Sequence, residues 1–257
     1  MSAHDIEVKR IGAAQILRFN RPLKKNALTT GMYAALADAL EEGERDDRLA
    51  VHVFLGTGGV FTAGNDIAEF LASSSDDGAS LMNVLRFISL LPHIEKPMIA
   101  GVDGLAVGVG ATLLFHCDMV LATPEARFQT PFVDLGLVPE AGSSLLMPQR
   151  LGYARAFEML VLGHVMTAER MREAGLVNAI VEAGELETSV QRLAMALAAK
   201  PPEALRLSRA LMRGDTKALA RRVEEEAEIF AKRLRSPEAR EAFQAFLEKR
   251  PPDFRRG

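Results

Sequence analysis

Three short runs in the first half of the chain are apolar almost throughout: "AVHVFLG" (50–56), Met98–Val102 and "DMVLAT" (118–123), each closing near a glycine or a proline. A strand that reads apolar on both faces must be covered on both faces. Around these runs the period becomes helical. Met32, Ala35, Leu36, Ala39 and Leu40 share one face, with Thr29 or Thr30 as N-cap. Leu81, Val84, Leu85 and Ile88 mark a second helix that Pro92 closes. Strand and helix signals alternate to about residue 182, and helical signals alone follow. The expected fold class is therefore α/β, with a core over 1–200 and a helical C-terminal region over 201–257.

The remaining segments fit that plan. "DIEVKR" and "AAQILRF" read as strands joined at Gly12, and Val107–Phe115 turns from strand into helix. Helices are expected at Tyr153–Leu162, Thr167–Ala174 and Leu186–Ala199, with a strand at Val177–Val181. Pro201–Pro202 opens another helix. Leu219, Val223, Phe230 and Leu234 line the next, and Ser236–Pro237 caps the last. "ASSSDDGAS" (72–80) reads as a flexible surface loop.

Composition removes several classes of function. The 257 residues carry a formal charge of −3 and no basic run of five, so nothing draws the chain to nucleic acid. The pair Arg221–Arg222, followed by Glu224, Glu225 and Glu226, reads as a solvated helix face. Cys117 is the only cysteine, which excludes intrachain disulfides and a cysteine metal cage. No stretch reaches the roughly 18 apolar residues of a membrane span. The N-terminus lacks a secretory apolar region and the C-terminus lacks a peroxisomal signal, so cytoplasm is the expected compartment.

Several chemistries fail on their residues. "GLAVGVG" (104–110) has Leu113 where a dinucleotide fingerprint needs its third glycine, and "LGTGGVFTAG" lacks Gly-Lys-Ser/Thr. The histidines form no ligand pattern, and "EAGSSLL" is not a nucleophile elbow. His52, His116 and Cys117 read as structural, Asp118 as bonded to local backbone, and Asp134 as a turn cap. Glycines before a helix can leave backbone N–H groups facing outward to hold an oxyanion, or can serve close backbone approach alone. "FTAGND" and "GVGATLLF" each offer one such N–H. Glu140 follows Pro139 and precedes Ala141–Gly142 among apolar neighbours. It reads either as a desolvated proton carrier or as an acid at a helix N-terminus.

Taken in order, "NRPLKKNAL", "FTAGNDI", "AGVDGLAVGVGATLL", "CDMVLATPEARF", "LGLVPEAGSS" and "MTAERMREAGLVNAIV" resemble the crotonase, or enoyl-CoA hydratase/isomerase, superfamily from about Ile6 to Arg213. The resemblance implies a spiral of stacked ββα turns and a C-terminal helical region that drives homotrimers, often paired into hexamers. It implies an acyl-CoA thioester as ligand, no separate cofactor and no metal. By the same resemblance the backbone N–H groups of Asn65 and Val109 form the oxyanion hole, with Gly64 and Gly108 beside them. Lys24, Lys25 and Ala27 fall where the family touches the nucleotide of coenzyme A. Ala63, Asp66 and Ile67 fall along the adenine and pantetheine path.

Two departures narrow the expected reaction. The two glutamates of a hydratase are replaced here by Thr112 and Phe132, both placed at the substrate. Water addition needs a group to activate water and a proton source, which these two side chains do not supply. What remains is Glu140, in a pattern similar to the peroxisomal-type Δ3,Δ2-enoyl-CoA isomerases, whose reaction needs one base. The expectation is an isomerase of acyl-CoA breakdown. The alternatives are a ring-epoxide acyl-CoA isomerase, a weak hydratase or a non-catalytic acyl-CoA-binding protein.

Overall fold

The computed structural model describes residues 5–69 and 79–254. Among these residues the larger sheet has six strands. β1 (Ile6–Ile11) and β2 (Ala14–Phe19) form an antiparallel hairpin. β3 (Val51–Leu55), β4 (Met98–Val102), β6 (Met119–Ala122) and the short β9 (Ala179–Ile180) then add in parallel. All five residues of β3 and all five of β4 are buried, as their unbroken apolar character requires. One face packs on the main core. The other, through Ile16, Val51, Val53, Leu55, Ile99 and Leu121, packs on the helix Ala183–Ala198.

A smaller sheet lies beside the first: β5 (Leu105–Val107) pairs in parallel with β7 (Arg127–Gln129), and β8 (Met166–Thr167) runs antiparallel to β7. The two sheets advance together. β4 is followed by β5, and β6 by β7, so each turn of chain puts one strand in each sheet. Thr62, after β3, continues the pattern as a parallel bridge to Ala106 of β5. This is the expected ββα spiral, and it stacks successive loops on one side of the molecule.

All but one of the described helices lie in segments that the sequence marked as helical. α1 (Thr30–Arg45) is capped by Thr29, whose hydroxyl accepts from Met32 N. α2 (Ala79–Leu90) ends at a 3-10 turn containing Pro92. It includes Ala79 and Ser80, so the expected loop over 72–80 is shorter than read, and its residues 72–78 lie outside the described ones. α3 (Val109–Thr112) opens just after Gly108. α4 (Ser143–Leu151) has no counterpart in the sequence reading; it begins three residues after Glu140. α5 (Tyr153–Leu160) stops two residues short of its expected end. After α6 (Ala168–Glu173) and α7 (Ala183–Ala198) come α8 (Pro202–Arg213), α9 (Thr216–Leu234) and α10 (Pro237–Glu248).

Two expectations are corrected here. Asp118 does not bond local backbone: it accepts Met98 N–H at 2.8 Å and pairs with Arg209 of α8. Glu226 is not on a solvated face but is 5% exposed in the core. His52 and Cys117 are buried as structural residues, with the His52 ring between Gln15 and Glu44. Among the described residues no helix is long and apolar enough to cross a membrane.

Candidate active site

The spiral brings two loop ends together. Thr62 N–H donates to Leu105 O at 2.9 Å and Val107 N–H to Thr62 O at 3.0 Å. The "FTAGND" segment therefore runs beside β5 and stops next to the start of α3. Contact there is close: a Cβ on Gly64, which has φ 82°, would stand 2.8 Å from Val107 O. Asn65 forms a parallel bridge with Leu28, and the bonds go through its neighbours, Leu28 N to Gly64 O and Asp66 N to Leu28 O. Its own N–H thus points away from Leu28. Val109 is the first residue of α3, where a helix leaves its N–H without an internal partner. Among the described residues neither N–H is spent on a protein acceptor.

Both residues border a cavity of about 530 Å³. Its wall includes Ala63, Gly64, Asn65, Ile67, Gly108, Val109, Phe132 and Glu140 from the expected set. Lys24, Lys25, Ala27 and Asp66 are outside the lining. Lys24 and Lys25 are exposed, and Lys25 O accepts Ala63 N–H at 3.0 Å, so their loop adjoins the wall. Asp66 pairs with Arg21 at 2.7 Å. Thr112 does not line the cavity either. It is fully buried, and its hydroxyl donates to Glu140 Oε1 at 2.5 Å.

Glu140 is 8% exposed, and burial pushes its carboxyl up to about 8. The Thr112 hydrogen bond works against that rise, and the nearby Glu226 adds to it. At neutral pH the free protein therefore holds this carboxyl mainly protonated, close to the point where it can take and return a proton.

Sequence reasoning passed over several residues around the site. Tyr33 of α1 is buried and its hydroxyl donates to Asn65 Oδ1. Desolvation, then the charge of Glu140, drive its phenol well above the ordinary range, so it stays a donor. Phe230, Phe243, Phe246, Arg250 and Phe254 complete the wall, so the cavity takes its lining from both sides of residue 200. Asp134, read as a turn cap, lies in the 3-10 turn Val133–Leu135 and is on the wall, exposed. Glu226 was legible in one way. It falls on the spacing of Leu219, Val223, Phe230 and Leu234, so it lies on the buried stripe of α9.

A model of the enoyl-CoA hydratase/isomerase family matches residues 11–257. The chain belongs to the enoyl-CoA hydratase/isomerase family. A solved enoyl-CoA hydratase/isomerase from Pseudoalteromonas atlantica T6c superposes with a TM-score of 0.91 at 38% identity, covering 97% of this chain and 99% of that one. The spiral is thus the crotonase fold. Family relatives diverge in their reactions. Rat enoyl-CoA delta isomerase 2 is 36% identical over 93% of this chain, which spans 62% of that longer protein. The 1,2-epoxyphenylacetyl-CoA isomerase of Escherichia coli K12 is 35% identical over 93% of each chain. The 2,3-dehydroadipyl-CoA hydratase of the same strain is 32% identical over 98% of each. Relatives at this level therefore include both isomerases and a hydratase.

Proposed function

We propose that this protein moves a double bond from C3 to C2 of an enoyl-CoA thioester with Glu140 as its one base. The thioester oxygen rests on the N–H groups of Asn65 and Val109. Glu140 takes a proton from C2, and the released pair delocalises through C3=C4 onto the thioester oxygen as a dienolate. The protonated carboxyl then returns the proton at C4, leaving the C2=C3 bond. A positioned base contributes about 10²–10⁴ in rate, and one oxyanion donor about 10²–10³.

The observation that carries this reading is the buried carboxyl of Glu140, paired with a hydroxyl and set on a cavity wall with two unspent amides. Thr112 is bonded to Glu140 at the position where the family's hydratases carry an acid, so the structure offers no second carboxyl there. Arg21 with Asp66, and the Lys24–Lys25 loop, form the side toward which the coenzyme A nucleotide extends in this reading. Exposed Leu207, Leu211 and Met212 of α8 support assembly into a trimer, which sedimentation tests.

One observation favours a second reading. Asp134 also stands on the wall and is a second carboxylate within one cavity, which water addition would use. Two assays on the same protein separate the readings: conversion of a 3-enoyl-CoA to the conjugated 2-enoyl-CoA, and hydration of a 2-enoyl-CoA. Fast conversion with slow hydration supports the isomerase. Hydration at a comparable rate, lost in Asp134→Asn, supports the second reading and removes the first.

A further inference from the structure

Glu140 leads into a turn with one backbone bond of its own, Ser143 N–H to Glu140 O at 3.1 Å. Ala141 has φ 56° and Gly142 has φ 73°, two successive residues in the left-handed region. For the alanine this costs about 1–2 kcal/mol, so its surroundings must impose it. Two buried side chains from distant segments add to the bond that closes the turn. His116 donates from Nε2 to Ala141 O at 2.6 Å, and burial lowers its imidazole to about 3, so the ring is a neutral donor. Glu226 of α9 accepts from Gly142 N at 2.6 Å and from Ser144 N at 2.9 Å. Gly142 is the N-cap of α4 and has no side chain to cap with. A carboxylate from α9 fills that role, at the end of the helix where negative charge is favoured. The turn and α9 are also in close contact: a Cβ on Gly142 would stand 2.5 Å from Leu219 Cδ1.

We propose that Glu226 is a positioning residue for the reaction: its carboxylate fixes the Ala141–Gly142 turn so that Glu140 faces the cavity. Glu226 does not line the cavity and touches no reacting atom. The inference rests on the isomerase reading for its kinetic consequence and on geometry for the rest. The ionisable groups around the turn are Glu140, Glu226 and Arg222, His116 behind Ala141 with Arg150, Arg209 and Arg213 beyond it, and Tyr33 on α1. Of these, Glu226 is the like charge that helps keep the proton on Glu140. The helical C-terminal region thus helps to position the base, although its sequence reads as packing alone.

The test compares wild type, E140Q, E226Q and E226A on a 3-enoyl-CoA thioester. E226A is expected to lose kcat by about 10- to 100-fold, since small misplacements of a reacting group cost that much, with KM held within about twofold. E226Q keeps one acceptor oxygen and the shape. It is expected to lose less, and the rise of kcat/KM with pH moves to lower pH because the like charge is gone. A lowered Tm with unchanged kcat in both variants overturns the proposal, whatever the pH profile does. If E226A does not fold, a loss of kcat in E226Q at a KM held within about twofold decides. If wild type itself fails to convert the substrate, the isomerase reading falls separately. The carboxyl carbon resonance of Glu140, assigned by its absence in E140Q, then reads the proposal without turnover. Its titration moves further toward the ordinary carboxylate range in E226A than in E226Q if the turn then releases Glu140, and moves equally in both if the proposal is wrong.

Discussion

The raised carboxyl of Glu140 has a consequence for folding that does not depend on substrate. In the unfolded chain this group titrates near 4.5, and in the fold near 8. Below pH 4.5 both states hold the proton and the side chain imposes no penalty. Between 4.5 and 8 the folded state binds the extra proton, so stability falls as pH rises. Above 8 the penalty is fully present, about 5 kcal/mol at 1.36 kcal/mol for each tenfold change in proton affinity. Glu140→Gln cannot ionise, and its amide can donate to the Thr112 hydroxyl that now donates to Oε1. Urea unfolding of both proteins at pH 5, 7 and 9 should show small differences at pH 5 and a growing advantage for the variant, reaching a few kcal/mol at pH 9. Parallel stability curves across that range would refute the claim that the fold desolvates this carboxyl.

Further outcomes follow from the same geometry. Val109→Pro removes the N–H at a first helical position that tolerates proline, and also exchanges one buried side chain for another; it should lower kcat by about 10²–10³ with the protein folded, and unchanged kcat takes Val109 out of the oxyanion hole. In wild type, kcat/KM should rise with pH through about 8, the pH at which free Glu140 loses its proton. Thr112→Val removes the hydrogen bond that favours the charged carboxylate, so that rise should move to higher pH; a profile unmoved by the substitution separates Thr112 from the base.

The fold was legible because its signals are local and strong. β3 and β4 are buried on both faces and look it, and the apolar stripe of α1 matches its packed side at Met32, Leu36 and Leu40. Short elements escaped. β7, β8 and α4 take their order from partners far along the chain, and α4 is capped by Glu226 rather than by a residue before it. The site divided in the same way. The family resemblance marked Asn65 and Val109, and apolar neighbours with the same resemblance marked Glu140; the structure brings all three to one cavity. The sequence did not mark Tyr33, His116 or Glu226, because each acts through a contact made only after the chain has folded. Glu226 also sits among exposed glutamates, and only its register with Leu219, Val223, Phe230 and Leu234 separates it from them.

In the proposed reaction one shielded carboxyl carries the migrating proton, and an isotope can follow that proton. A 3-enoyl-CoA bearing deuterium at C2 is converted in ordinary water, and the product is examined at C4 by mass spectrometry or NMR. Glu140 acting alone in a buried setting delivers part of the C2 deuterium to C4, and Glu140→Gln abolishes the conversion. Complete loss of the label to water, with turnover retained in Glu140→Gln, contradicts the account.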